Sequence, residues 1–145
     1  MSKVLIVSAS RNGETQKIGE LIAEGLRFAM VDVTLKDVHD CKKESDLVGY
    51  DAYIFGSSTY HGEMLNRMKS FLFLVERADL RGKKGGAFGS YGWSGEAAER
   101  IFATMENIYG MDMVSSPLML KGASIVGGIK MAHDYAKEIV ALVQD

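Results

Sequence analysis

Short, continuous apolar runs alternate along this chain with longer stretches of helical periodicity, and that alternation constrains the fold more than any other feature. Val4-Leu5-Ile6-Val7 and Ala52-Tyr53-Ile54-Phe55 are runs of the kind found in strands buried on both faces. Between them Ile18, Leu21, Ile22, Gly25, Leu26 and Ala29 fall at helical spacing and predict an amphipathic helix of about four turns. Val31, Val33 and Leu35 alternate with polar residues as an edge strand does, and a short helix is expected around Glu44 to Val48. Met64, Leu65, Met68, Phe71, Leu72 and Val75 predict the next long helix, and Lys84 to Ser90 a glycine-rich strand. Ala97, Ala98, Ile101, Phe102, Met105 and Ile108 mark a further helix. Leu118-Met119-Leu120 then suggests a fifth strand, and Ala132, Tyr135, Ala136, Ile139, Val140 and Val143 a closing helix.

Strands and helices in strict alternation build βαβ units, a parallel sheet with helices on both faces. The expectation is an α/β fold, a three-layer α/β/α sandwich with five parallel strands in the order 2-1-3-4-5, formed by one domain over residues 1–145. In such a sheet the ligand sits beyond the carboxyl ends of the strands, where the strand order reverses. Residues 8–15, 56–63 and 89–95 converge there, and their composition is unlike the rest.

Composition removes several classes of function. A net charge of −2 with no Lys/Arg stripe argues against a nucleic-acid binder. One cysteine, Cys41, excludes an intramolecular disulfide or a CxxC pair, which fits a reducing cytoplasm. His39 and His133 have no partners at metal spacing. No apolar stretch is long enough for a membrane helix, and Arg11 follows too soon after Met1 for a secretory leader.

Ser8-Ala9-Ser10-Arg11-Asn12-Gly13-Glu14-Thr15 joins the first strand to the N-terminus of the first helix. Backbone N–H groups there lack intrahelical partners, and the helix dipole favours an anion. Ser10, Asn12 and Thr15 add short polar side chains, and Gly13 allows a turn with positive φ. Neither GxxxxGK[ST] nor GxGxxG is present, so a small phosphomonoester suits the loop better than a nucleoside triphosphate or a dinucleotide. Simple helix capping by Ser, Asn and Gly is the alternative. In the third segment, Gly89-Ser90-Tyr91-Gly92-Trp93-Ser94-Gly95, two large aromatics stand among glycines, an arrangement suited to a flat ring approached closely by backbone.

The run Ser10, Gly13, Thr15, Gly19, Ile22 resembles the phosphate loop of the flavodoxin family, with Ser8 where an aromatic is usual and Gly19 where alanine is usual. Arg11 is a further departure, because the family generally binds the phosphate without a nearby cation; solvent exposure and a charge-assisted contact both stay open. Gly56-Ser57-Ser58-Thr59-Tyr60-His61-Gly62-Glu63 resembles the second FMN loop, and residues 89–97 resemble the third, most of all that of the flavodoxin domain of flavodiiron proteins. The resemblance covers essentially the whole chain, at the length of the short-chain members. It implies that FMN is held by Ser8, Ser10, Arg11, Asn12, Gly13, Glu14 and Thr15 at the phosphate. At the ring it implies Ser57, Ser58, Thr59, Tyr60, His61, Gly62, Gly89, Ser90, Tyr91, Gly92, Trp93 and Gly95. Tyr60 would lie on the isoalloxazine and the His61–Gly62 peptide would meet flavin N5, with a solvent-facing His61 as the alternative; Tyr91 and Trp93 compete for the other face.

The implied function is a low-potential electron carrier, not an enzyme, whose FMN cycles among oxidised, semiquinone and hydroquinone forms. It would be a cytoplasmic monomer docking transiently to larger redox proteins at the flavin edge, through interfaces below about 1,200 Å². Little positive charge is expected near the ring, and Glu63, Glu96 and Asp112 are candidates for a negative field. Two alternatives remain, an FMN-dependent quinone or protoporphyrinogen reductase on the same fold and a flavin-free binding module. A phosphoacceptor receiver domain is excluded, because its acidic strand ends are replaced by Ser8-Ala9-Ser10 and Phe55-Gly56-Ser57.

Overall fold

The first apolar run becomes the hub of the sheet. In the computed structural model, which describes residues 1–91 and 95–144, β1 (Lys3–Ala9) pairs in parallel with β2 (Asp32–Asp37) on one side and β3 (Ala52–Tyr60) on the other. β3 pairs in parallel with β5 (Lys84–Ser90), whose outer edge carries two short strands, β6 (Asp112–Met113) and β7 (Leu118–Leu120). A two-residue strand, β4 (Glu63–Met64), folds back antiparallel on the end of β3. The order β2-β1-β3-β5-β6/β7 is the expected 2-1-3-4-5 with its last strand in two pieces.

Side chains alternate across each strand and so feed two cores. Leu5, Val7, Tyr53 and Phe55 pack under α2 (Asn66–Ala78) and α3 (Glu96–Ala103). Val4, Ile6, Ile54 and Phe88 pack under α1 (Glu14–Phe28) and α4 (Gly128–Val143). Among the described residues, no helix is long and apolar enough to cross a membrane.

Three local departures from the sequence expectation have physical causes. Between β6 and β7 the outer edge of β5 loses its strand partner. The Tyr135 hydroxyl fills that gap, accepting from the Ala87 N–H and donating to the Ala87 carbonyl, both at 3.0 Å. Gly86 leaves room for it, since a Cβ there would stand 3.0 Å from the tyrosine oxygen. Second, α3 ends in a wide turn over Thr104–Ile108, with the Tyr109 N–H on the Thr104 carbonyl; the added residue rotates Ile108 off the core face, leaving it 67% exposed. Third, residues 56–60, expected as loop, continue β3, because backbone pairing with β5 needs no large side chain.

Cys41 is buried against the α2 side of the sheet, and burial pushes its thiol up to about 11, over the opposing pull of Lys36. It is therefore a packing residue rather than a nucleophile.

Candidate functional site

The carboxyl ends of β1, β3 and β5 are tied together by three buried hydroxyls. Thr15 Oγ1, in the first turn of α1, lies 2.8 Å from Ser58 Oγ and 2.7 Å from Ser90 Oγ, and the Arg11 N–H donates to Ser58 Oγ at 3.1 Å. Ser58 and Ser90 are register partners in adjacent strands, which brings their hydroxyls together. The triangle fixes three chain segments relative to one another.

Above it opens a cleft of about 610 Å³, within the size range of small-molecule and cofactor sites. One end is the N-terminus of α1. Gly13, at φ 88°, turns the chain into the helix, and Asn12 Oδ1 accepts from the Glu14 N–H at 3.3 Å. The Ser10 carbonyl is held at 2.8 Å by Arg67 Nη2, while Ser10 Oγ is buried and has no hydrogen-bond partner among the described residues. A buried hydroxyl costs free energy unless it is paired. This one stands beside the unpaired N–H groups and positive dipole end of α1, where an anion's oxygens would satisfy it. The donor set, hydroxyls and backbone N–H groups, fits the phosphate of FMN.

The other end is flat and aromatic. Tyr60 and Tyr91 line it, and Tyr60 is 40% exposed. Tyr60 and Glu63 are register partners across a two-residue turn in which His61 has φ 52° and Gly62 φ 73°. Positive φ at both central positions is the type I′ hairpin turn. His61 sets its ring edge-on to Tyr60 at 4.1 Å between centroids, and the Arg11 guanidinium carbon lies 4.0 Å from the centroid of the Tyr60 ring. The hairpin is anchored from outside through Glu63, which pairs with both Lys69 and Arg100. The Lys69 hydrogen bond, reinforced by the charges of Lys69 and Arg100, holds that carboxyl below the usual range.

Of the residues singled out in the sequence, Arg11, Asn12, Glu14, Ser58, Thr59, Tyr60, His61, Gly62, Ser90 and Tyr91 line the cleft together. Thr59 also accepts from the Ala97 N–H at 3.2 Å, capping α3. Thr15 is fully buried behind the lining residues Ser58 and Ser90, and Ser10 is not a lining residue, its Oγ being buried. Ser57 is fully buried too, its hydroxyl donating to the Ser58 carbonyl and accepting from the Leu65 N–H. Gly89 and Gly95 are sites of close approach, where a Cβ would meet the Ser57 carbonyl at 2.7 Å and Met119 sulfur at 2.6 Å. Gly92 and Trp93 lie outside the described residues.

Two expectations need correction. Ser8 faces away from the cleft, into a separate cavity with Gln16, Glu20 and Asp37, because it alternates with Val7 and Ala9 and so belongs to the α1 side of β1. Asp112 begins β6 at the amino end of the sheet and pairs with Lys84, so its charge lies at the opposite edge from the cleft. The sequence reading also missed two cations. Lys121 follows directly on β7 and lines the cleft, as the rule for strand ends would have indicated, and Arg67 reaches Ser10 from α2.

A family model described as Flavodoxin domain matches residues 5–117. The chain is similar to a flavodoxin of Maridesulfovibrio salexigens, 34% identical over 130 residues that cover 88% of this chain and 83% of that protein. Among solved structures, a flavodoxin from the domain Archaea matches with a TM-score of 0.91 at 31% identity, over 99% of both chains. The rubredoxin oxygen:oxidoreductase of Desulfovibrio gigas matches with a TM-score of 0.90 at 27% identity, over 99% of this chain and 36% of that one.

Proposed function

The chain belongs to the flavodoxin family, and from that premise we propose that it is an electron carrier working on one non-covalently bound FMN. The flavin supplies the redox chemistry; the residues of this chain bind and orient it and set the charge around it. Ser10, Asn12 and the first N–H groups of α1 hold the phosphate, with Thr15 and Ser58 behind them. Tyr60 takes one face of the ring, and stacking there is worth roughly 0.5–1.5 kcal/mol beyond buried area. Tyr91 also lines the cleft. The His61–Gly62 peptide, at the tip of the hairpin, is the backbone group that meets flavin N5. Docking to larger redox proteins takes place at the rim of this cleft, by a monomeric, cytoplasmic single domain.

The observation that carries the reading is the unpaired, buried Ser10 hydroxyl beside the α1 N-terminus. A hydrogen bond to a charged group is worth about 1.5–3 kcal/mol, so Ser10→Ala is expected to weaken FMN binding roughly 10- to 150-fold. The thermal stability of the flavin-free protein should stay unchanged or rise slightly, since no internal bond is lost. Flavin fluorescence quenching and a melting curve check both halves. Unaltered FMN affinity in Ser10→Ala would remove Ser10 from the phosphate site.

A further inference from the structure

Arg11 departs from the family pattern, and its placement gives it more than one way to act. Its backbone is fixed, because its N–H donates to Ser58 and the neighbouring Ser10 carbonyl is held by Arg67. Arg11 is exposed, and its guanidinium lies over Tyr60 at 4.0 Å, well within cation–π range; both side chains line the cleft. Among the described residues Arg11 forms no ion pair. Lys121, of the same sign, also lines the cleft. Among the described residues the carboxylate that lines it is that of Glu14, already engaged by the Ala123 N–H at 3.1 Å and by Lys17 at 3.7 Å. The wall beside Tyr60 is thus net positive, against the expectation of little positive charge.

Resting on the FMN reading, we propose that Arg11 sets the potential of the bound flavin, its guanidinium over Tyr60 favouring the fully reduced ring. Full reduction takes up two electrons from the donor and one proton, and leaves one negative charge on an isoalloxazine that was neutral when oxidised. A fixed cation beside the ring stabilises the charged form and not the neutral one. A contact to the FMN phosphate would behave differently, because the phosphate has the same charge in both redox forms.

The test uses the flavin-loaded protein and its Arg11→Gln and Arg11→Lys variants. Oxidised FMN is titrated by fluorescence. Midpoint potentials are read spectrophotometrically during dithionite reduction with indicator dyes, and the affinity for reduced FMN follows from the cycle. Arg11→Gln is expected to bind oxidised FMN as tightly as the parent, to within a few-fold. It should bind fully reduced FMN roughly tenfold more weakly, a drop of about 30 mV in the two-electron midpoint between oxidised and fully reduced flavin. Arg11→Lys should recover most of the loss, and added salt should shrink the difference, since the cation is exposed. Equal weakening of both redox forms would assign Arg11 to the phosphate and overturn the proposal, as would potentials unchanged in Arg11→Gln. A parent protein that takes up no FMN overturns the FMN reading, and this one with it.

Discussion

Gly56→Ala should lower the stability of the flavin-free protein by about 3 kcal/mol, at the upper end of the usual range for overpacking a core. Gly56 sits mid-strand in β3 opposite Phe88 of β5, and the Phe88 ring lies across its Cα. A Cβ at residue 56 would stand 2.4 Å from two ring carbons of Phe88, which is itself fully buried. The ring cannot swing clear, because α1 and α4 close that face through Ile18, Ile22 and Tyr135. For a chain of about this size the loss corresponds to a melting temperature roughly 6–12 °C lower. Phe88→Leu, harmful alone, should restore part of the stability in the Gly56→Ala background, and this non-additivity identifies the clash. A variant that melts with the parent would contradict the packing described here. So would strict additivity of the two changes.

Thr15→Val is expected to act on both stability and ligand affinity. Valine matches threonine in shape, so the core volume is kept and only the hydroxyl shared by Ser58 and Ser90 is lost. Leaving buried hydroxyls short of partners costs about 1–3 kcal/mol. Ser58 keeps the Arg11 N–H, whereas Ser90 is left with only the long 3.5 Å contact to Ser58, so the loss falls mainly on the β5 side. We expect the flavin-free protein to lose about 2 kcal/mol by urea unfolding. The larger consequence is for FMN, because the triangle holds the phosphate end and the ring end in one geometry. Affinity should fall about a hundredfold, the equivalent of about 2.7 kcal/mol. Thr15→Ser should restore most of both quantities. FMN affinity within threefold of the parent in Thr15→Val would show that the triangle is structural only.

How much of this was legible in the sequence follows from where side chains decide conformation and where backbone does. Val4–Val7 and Ala52–Phe55 could only be central strands, and Ile18, Ile22 and Leu26 could only face a core, so the layer order and the position of the cleft followed. The extension of β3 through Ser57, Ser58 and Thr59 was not legible, since small polar residues carry no strand signal although their backbones pair as well as any. The split fifth strand depends on a hydroxyl from α4 reaching Ala87, a contact between distant segments that no local pattern announces. The orientation of Ser8 was legible in principle, as the period of two that buries Val7 under α2 turns its neighbour toward α1. The stacking of Arg11 on Tyr60 was not, because it depends on two side-chain rotamers at the ends of different strands.

The central claim is that the cleft holds FMN and passes electrons singly. It is tested most directly by loading the purified protein with FMN and reducing it anaerobically in small steps while recording visible absorbance. The account predicts uptake of one FMN per chain, and reduction in two separated stages with a transient long-wavelength band of the one-electron-reduced flavin. Failure to take up FMN, or bleaching in a single two-electron stage with no such band, would contradict it.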